Sequence, residues 1–573
     1  MTQDVAPPRA AAAAAAASQW LKCPSCDAFV YAKRLARNLR VCPECSYHFR
    51  MSVADRLTQL LDPDSFEQRD VDLEGADPLG FTDSRAYTER LEAARRKTGR
   101  RDAAVYGRGA IGGFDVVVTA MDFAFMGGSM GGAVGEIITR AAEEALESRT
   151  PLLIIAASGG ARMQEGCISL MQLAKTSQAL GRLGEEGVLS ACLLTDPTFG
   201  GVTASFAMLG DVLIAEPKAL IGFAGPQVIE QTIRQQLPED FQTSGFLLEH
   251  GMLDLVVPRE NLRNALTKLL RFHAAEPPDE LPTGQGSPML TDPDALADRP
   301  AWDVVMMARD IGRPTTLEYA GFIFDDFQEL HGDRLYAENA SIVGGLASLE
   351  GLSVVLIGHQ KGHSTNELVT RNFGMPEPEG YRKALRLMQH AAKFGMPIVT
   401  LVDTPGAFPG LGAEERGQAV AIARNIMEMA RLPVPIVVVV TGEGGSGGAL
   451  ALAVGDRVLM LENAYYSVIS PEGCSVILWS NAAAAPQAAQ ALRVRAPDLL
   501  RLRVMDGIVP EPEDGAPRDP VTTAANLKEA LVTCLNELLP LSPETLVEQR
   551  YQRFRMFGTP GEQPLLPARE RDE

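Results

Sequence analysis

The sequence predicts an α/β architecture built twice, preceded by a small cysteine-rich module, and three observations carry that reading. First, PLLIIAASGGA at 151–161 is matched by PIVTLVDTPGA at 397–407, an offset of 246 residues. GVLSACLLTDPTFGGVTASFAMLGD, ending at Asp211, is matched by PIVVVVTGEGGSGGALALAVGD, ending at Asp456, and ALIGFAGP (219–226) by AYYSVISP (464–471), now at an offset of 245. A match this long with a one-residue slip is one structural unit made twice. Second, short apolar runs alternate with helical stretches: FDVVVTAMDF, GEIITRAAEEALES, PLLIIAAS, then ISLMQLAKTSQALGRL. That βαβα rhythm implies a largely parallel sheet with buried strands. Third, two CxxC pairs, Cys23/Cys26 and Cys42/Cys45, stand 15 residues apart near the start.

The elements follow in order. Residues 1–19 hold an alanine tract with no basic start and no Leu/Ile/Val-rich stretch, so they are expected to be a disordered leader rather than a signal peptide. Residues 20–50 are the cysteine module. Each CxxC forms a tight knuckle that aims two sulfurs at one point, and two knuckles complete a tetrahedral thiolate site, Cys23, Cys26, Cys42 and Cys45, for one structural Zn2+. Disulfides are the competing reading and are disfavoured in a reducing compartment. With all four positions filled by sulfur, such a zinc has no open site for catalysis. Residues 51–273 are the first α/β domain. The stretch 274–300, with six prolines and almost no periodicity, reads as a linker. Residues 301–557 resume the rhythm, with a helix expected at 381–393, a strand at 398–403, a helix at 415–431 and a strand at 434–441. Residues 558–573 read as a flexible tail.

Composition narrows the function classes. The 573 residues provide for several cores, and 46% apolar content is ordinary for globular chains. No apolar run reaches the 18 or so residues of a membrane-spanning helix, so no membrane partner and a cytoplasmic location are expected. A formal charge of −20 argues against general nucleic-acid binding. The module is a local exception. Lys22, Lys33, Arg34, Arg37, Arg40 and Arg50 face only Asp27 and Glu44 there, a balance of +4 that zinc and four thiolates would reduce to about +2. The other cysteines lie among apolar neighbours and read as small core residues.

Three glycine-rich loops are candidates for chemistry. Ser158-Gly159-Gly160-Ala161-Arg162 follows a buried strand. Gly442 to Ala449, including Gly444, Gly445, Gly447 and Gly448, lies between a valine strand and an Ala/Leu-rich helix, where bare N–H groups favour negative charge. Phe125 to Gly132, with Gly127, Gly128 and Gly131, suits packing around an acyl or cofactor chain, and equally suits close helix packing. The first lacks the GxGxxG spacing of a dinucleotide site, and the second lacks the Lys-Ser/Thr ending of a phosphate-binding P-loop. With only seven histidines, none in HExxH or beside an evident GxSxG nucleophile elbow, side-chain catalysis is poorly supported. Backbone N–H donors aimed at a developing oxyanion can do that work instead, worth about 2.7–4 kcal/mol per donor.

At these motifs the chain resembles a known family. CPSC…NLRVCPECSYHFRM, AFMGGSMGG, SGGARMQEG, LTDPTFGGVTASFAMLGD and IAEPKALIGFAGPQVIEQT resemble the β subunit of bacterial acetyl-CoA carboxylase carboxyltransferase. SIVGG, IGHQKG, RNFGMPEPEGYRKALRLM, DTPGAFPGLGAEERGQ, GEGGSGGALALAVGD and YYSVISPEGCSVILW resemble its α subunit. The resemblance implies a fusion, β first, with two crotonase-like (ClpP/crotonase superfamily) β-β-α spiral domains behind a four-cysteine zinc ribbon. It implies transfer of CO2 from carboxybiotin, held on a separate biotin carboxyl carrier protein, to acetyl-CoA, giving malonyl-CoA for fatty acid synthesis. In that course a biotin enolate takes a proton from the acetyl methyl, and the acyl enolate attacks CO2. The ATP-dependent biotin carboxylase would be another chain, since neither a biotinylation site nor an ATP-grasp domain is recognisable here. By the same resemblance Gly159 and Gly160 hold the thioester oxygen, and Gly448 and Ala449, with Gly447 shaping the turn, hold the ureido oxygen. Arg162, Lys361 and Arg371 are candidates for charge near the CoA phosphates or the carboxyl group, or else are structural or solvated charges. The assembly implied is a homodimer of fusions equivalent to α2β2. The α-like part starts near Pro300, so the long helical N-terminal segment typical of separate α subunits is expected to be missing or reduced to the linker. Alternatives are a propionyl-CoA carboxyltransferase, a decarboxylase run in reverse, and a weak nucleic-acid-binding role for the ribbon. The favoured reading of the ribbon is a lid or packing module.

Overall fold

The computed structural model describes residues 19–69, 72–284 and 289–559. The expected leader, apart from residue 19, and the expected tail beyond residue 559 lie outside the described residues. The chain forms two compact units, one holding the residues up to Leu248 and Leu253–Arg271, the other Glu249–Met252 and the chain from Phe272 onward.

The first unit opens with the cysteine module, whose strands β1 (Trp20–Lys22) and β2 (Phe29–Tyr31) pair antiparallel. Its main sheet comprises β3 (Glu67–Gln68), β4 (Ala104–Ile111), β5 (Phe114–Met121), β6 (Leu152–Ser158), β7 (Ser190–Phe199), β8 (Val212–Ala215), β9 (Ile221–Gly222) and β10 (Leu255–Val256). The order is β10-β8-β7-β6-β5-β4-β3, with β9 beside the end of β7. β4 and β5 form an antiparallel hairpin, and the steps from β5 through β8 to β10 are parallel. LLIIAAS in β6 is buried almost throughout, as a strand covered on both faces must be. The helix Gly132–Ser148 packs on this sheet through Val134, Ile137, Ile138, Ala141, Ala142 and Ala145, a stripe of helical period.

The second unit repeats the plan with β11 (Asp326–Glu329), β12 (Ile342–Leu349), β13 (Leu352–His359), β14 (Ile398–Thr404), β15 (Ile436–Gly445), β16 (Arg457–Leu461), β17 (Tyr465–Ser467) and β18 (Gly507–Val509). The order is β11-β12-β13-β14-β15-β16-β18, with β17 beside β15. The correspondence extends to register. Leu152 faces Ser190 and Ile398 faces Ile436, and the pairing breaks between Ala156 and Ser158 in one unit and between Val402 and Thr404 in the other. The one-residue slip falls between β7 and β8, where the first unit has a 3-10 turn (Phe206–Met208) and the second a short helix (Ser446–Leu450). Asp211 and Asp456 do the same job. Their carboxylates accept the N–H of the first residue of β7 or β15, Ser190 and Ile436, each at 2.8 Å.

Three expectations shift. The strand expected at 434–441 runs on to Gly445, so half of the second glycine-rich stretch is strand. The helix expected at 415–431 divides into Leu411–Glu415 and Gln418–Met429. The 274–300 stretch has little regular structure yet is fastened at several points. Leu281 is buried and exchanges hydrogen bonds with the Asn536 side chain at 2.8 and 3.0 Å, and Leu290 exchanges two with Ile508.

Candidate functional site

The four cysteine sulfurs converge. All lie within 4.8 Å of one another, with Cys23 to Cys45 at 3.7 Å and Cys26 to Cys42 at 3.9 Å. Tetrahedral Zn–S bonds of about 2.3 Å require sulfurs about 3.8 Å apart, so the set fits zinc. The two knuckles are copies. Asp27 N–H donates to Cys23 O and Ser46 N–H to Cys42 O, each at 2.9 Å, and both turn residues have positive φ. The ribbon is fastened by a residue that its own sequence does not contain. Arg259, buried, donates to the carbonyls of Leu39 and Phe49 at 2.9 Å and to both carboxylate oxygens of Glu216 at 2.7 Å. Arg56 adds 2.6 Å to the same carboxylate. Burial alone would raise the Glu216 pKa, but the two guanidiniums hold it at about 2. Of the ribbon's cations, Lys22 pairs with Asp27, Arg34 with Glu44 and Arg50 with Asp196.

At the end of β6 the Ser158 hydroxyl accepts the Gly160 N–H at 3.0 Å, and the Gly159 N–H donates to Gly127 O at 2.8 Å. Both glycine N–H groups, expected as oxyanion donors, therefore already have acceptors inside the loop. Among the described residues the N–H of Ala161, which is exposed, has no acceptor. The loop after β7 meets this one backbone to backbone: a Cβ on Gly200 would stand 3.1 Å from the Gly160 Cα. Gly200 N–H donates to Phe223 O at 2.9 Å, while Gly201 N–H has no acceptor among the described residues.

The second unit has the same construction. Thr404 Oγ1 accepts the Gly406 N–H at 3.0 Å. Gly448 lies so close to this loop that a Cβ on it would be 2.3 Å from the Ala407 nitrogen. In a helix that starts at Ser446 with Gly445 as N-cap, residues 446–448 have no intrahelical acceptor for their N–H groups, and Ala449 is the first that does. The positive φ at this turn falls on Ser446 (φ 54) rather than on Gly447. The 246-residue offset maps Gly160 and Ala161 onto Gly406 and Ala407, and Gly201 onto Gly447. Gly159–Gly160 and Gly448–Ala449 are thus not equivalent pairs, and the repeat could have revealed Gly201 and Ala407.

At four of the five glycines expected to cradle a cofactor, protein atoms occupy the space a side chain would take. A Cβ would lie 2.0 Å from Ala157 O at Gly128, 2.3 Å from the Glu165 carboxylate at Gly131, 2.3 Å from the Tyr466 ring at Gly444 and 2.1 Å from Pro405 O at Gly445. Only Gly127 of that set faces open space. Arg162 is likewise structural, not a phosphate contact. It is 1% exposed, holds Asp102 in a two-pronged pair (2.6 and 3.0 Å) and donates to Ser129 O at 2.8 Å. Burial disfavours its charge, and the Asp102 carboxylate more than restores it, so its pKa is raised. Lys361 is spent on Asp403 (2.7 Å) and Glu443 (2.8 Å), inside a 320 Å³ cavity wall shared with Arg309, Phe373 and Pro405. Burial would raise the Glu443 pKa, but Lys361 and Arg309 hold it at about 2. Arg371, half-buried, donates to Ala340 O at 2.9 Å and forms no ion pair among the described residues.

Two family models match the chain: acetyl co-enzyme A carboxylase carboxyltransferase-like over residues 293–558, and the acetyl-CoA carboxylase zinc finger domain over residues 20–45. The acetyl-coenzyme A carboxylase carboxyl transferase subunits beta/alpha of Saccharopolyspora erythraea is 56% identical over 547 residues, spanning 95% of each chain. Its counterpart from Frankia alni is 57% identical over 559 residues, 97% of this chain and 92% of its own. The crystal structure of transcarboxylase 12S, with methylmalonyl-coenzyme A bound, has a TM-score of 0.68 over 86% of this chain and 90% of its own at 23% identity, a likeness of fold. The paired sheets, the ribbon and the full-length relatives agree: the chain belongs to the acetyl-CoA carboxylase carboxyltransferase family, with β-type and α-type halves joined in that order.

Proposed function

We propose that the chain transfers the carboxyl group of carboxybiotin, presented on a separate carrier protein, to acetyl-CoA. The observation that carries this reading is the duplicated loop pair. In each unit, backbone N–H groups with no acceptor among the described residues lie in the two loops that follow the same register break. The N–H groups of Ala161 and Gly201 are the donors for the thioester oxygen, and those of Ala407, Gly447 and Gly448 for the ureido oxygen. The C–N bond of carboxybiotin breaks and its electrons go to the ureido group. That group takes a proton from the acetyl methyl, and the resulting carbanion forms the new C–C bond to CO2. Two anionic oxygens develop, and preorganised N–H dipoles stabilise them without a charged side chain.

Biotin carboxylase and the carrier are supplied by other chains, the working unit is a homodimer of fusions, and the protein works in the cytoplasm. No helix among the described residues is long and apolar enough to cross a membrane. Arg371 is the remaining candidate for a CoA phosphate, and Gly127 lines the acyl-CoA side. The ribbon's Arg259 anchorage supports a packing role. Its exposed Trp20 and Phe29, with Lys33 and Arg37 in no ion pair among the described residues, favour weak nucleic-acid binding as a second one. The test is malonyl-CoA-dependent carboxylation of free biocytin by the purified chain, with methylmalonyl-CoA in parallel. Turnover with malonyl-CoA supports the reading, preference for methylmalonyl-CoA transfers it to a propionyl-CoA enzyme, and no turnover from folded, zinc-loaded protein refutes it.

A further inference from the structure

Two acids stand where the second unit's strands run into its donor loops, and neither touches solvent freely. Asp403 is the residue at the register break of β14, and Glu443 lies in β15 immediately before Gly444. Asp403 Oδ1 accepts the Glu443 backbone N–H at 2.8 Å, so the acid itself joins the two strand ends. Lys361, two residues beyond β13, reaches Asp403 Oδ1 and Glu443 Oε1 together. Glu443 Oε2 takes Arg309 Nε and the Tyr465 hydroxyl, each at 2.8 Å. The side chains of Lys361, Asp403 and Glu443 are 16%, 13% and 8% exposed.

The same positions in the first unit, 246 residues earlier, are Ala157 and Pro197. The first sheet keeps its register break and its loops without any of this charge. The cluster is therefore not what the fold needs to form. What it adds lies just downstream, where Pro405 O is packed on Gly445 and the Ala407 nitrogen on Gly448.

We propose that Lys361 is a positioning residue: by bridging Asp403 and Glu443 it fixes the loop 404–407 against residues 446–448, so that the N–H groups of Ala407 and Gly448 keep the spacing one oxyanion requires. This rests on the functional reading above. Without Lys361, Asp403 loses its cation while Glu443 keeps only Arg309, on its other oxygen, and the like charges push the strand ends, and with them the donors, apart.

The experiment compares wild type, K361M, K361R, the double variant K361M/E443Q and, as a remote control, R550M in the biocytin half-reaction. Arg550 makes a more deeply buried pair with Asp456 at 2.7 Å, at the other end of β15. K361M should lose roughly 10²-fold in kcat, the order expected of donors misplaced by about 1 Å, with the malonyl-CoA KM changed less than about threefold. K361R should recover most of the loss. E443Q in the K361M background should restore about tenfold, because it removes one of the two opposed charges. K361M alone should gain activity as the pH falls, when one carboxylate takes up a proton, which a purely structural defect would not do. R550M should lower the Tm and leave kcat unchanged. Wild-type turnover with K361M within threefold of it overturns the proposal, as does a loss that neither acid nor the second substitution relieves. Where K361M alone does not accumulate as folded protein, the double variant carries the test, and equality with wild type overturns the proposal. An inactive wild type refutes the functional reading instead.

Discussion

Adjacent glycines in the short helix Ser446–Leu450 should respond very differently to the same methyl group. At Gly448 an added Cβ would stand 2.3 Å from the Ala407 nitrogen, 2.7 Å from the Gly406 carbonyl carbon and 3.0 Å from the Tyr381 hydroxyl. The first two are backbone atoms and cannot rotate away. Ordinary contact starts at 3.4 Å, so the loop 404–407 must retreat by about 1 Å. At Gly447 the nearest atom would be Ile422 Cγ2 at 3.9 Å, an ordinary contact, and the residue has no positive φ. G448A therefore moves one donor loop relative to the other. Losing or misplacing one oxyanion donor costs about 2.7–4 kcal/mol, or about 10²–10³ in kcat. G447A should stay within a few-fold of wild type. The assay is biocytin carboxylation at saturating malonyl-CoA, with thermal melting alongside to show that both variants are folded. Equal activity of G448A and wild type, or an equal loss in both variants, would refute the assignment of this loop pair as an oxyanion site.

Three further outcomes follow from the first unit. C42S should lower bound zinc from one per chain to near zero, read by metal analysis, because three thiolates no longer close the tetrahedron. R162M leaves Asp102 and Glu165 buried without their cation, and should cost about 3–5 kcal/mol in denaturant unfolding of the first unit. Glu216 has a folded pKa near 2 against an ordinary 4.5, so its contribution to ribbon docking is fully present above about 4.5 and is lost as the pH falls toward 2. Limited proteolysis between pH 7 and 2.5 should therefore release the ribbon only at the acid end, and E216Q should remove that acid dependence while loosening the ribbon at neutral pH.

Much of this architecture was legible because a repeated backbone leaves repeated residues. The alternating runs announced parallel strands, and the Asp closing each GD (Asp211, Asp456) marked the same turn twice. The copy at Asp254 and Asp506 is too short to see in sequence, although each accepts the N–H of a neighbouring strand, from Leu213 at 2.6 Å and Val458 at 2.7 Å. Site residues were less legible. Gly159 looks as available as Ala161 until the Gly127 carbonyl, 32 residues earlier, is seen to take its N–H. Arg162 and Lys361 look like free cations until Asp102 closes on one and Asp403 and Glu443 on the other, partners 42 to 82 residues away. Periodicity reports what a strand or helix does every few residues; it does not report which distant acid consumes a charge.

That difference explains where the two halves agree and where they part. Residues that shape backbone are shared: Ser158 and Thr404 bond the next turn in the same way, and Gly160 and Gly406 follow them with positive φ. Residues that hold the loops in place are not. In the first unit the buried Arg162 clamps from behind, through Ser129 and Asp102, and its counterpart at 408 is phenylalanine. In the second unit Lys361 clamps at the strand ends, and the counterparts of its two acids are alanine and proline. The shared backbone thus sets which N–H groups are free, and the unshared charge sets how firmly they are held. Neutral exchanges at Ser158 or Thr404 should then affect the two halves alike, whereas loss of Arg162 or Lys361 should each affect one half alone.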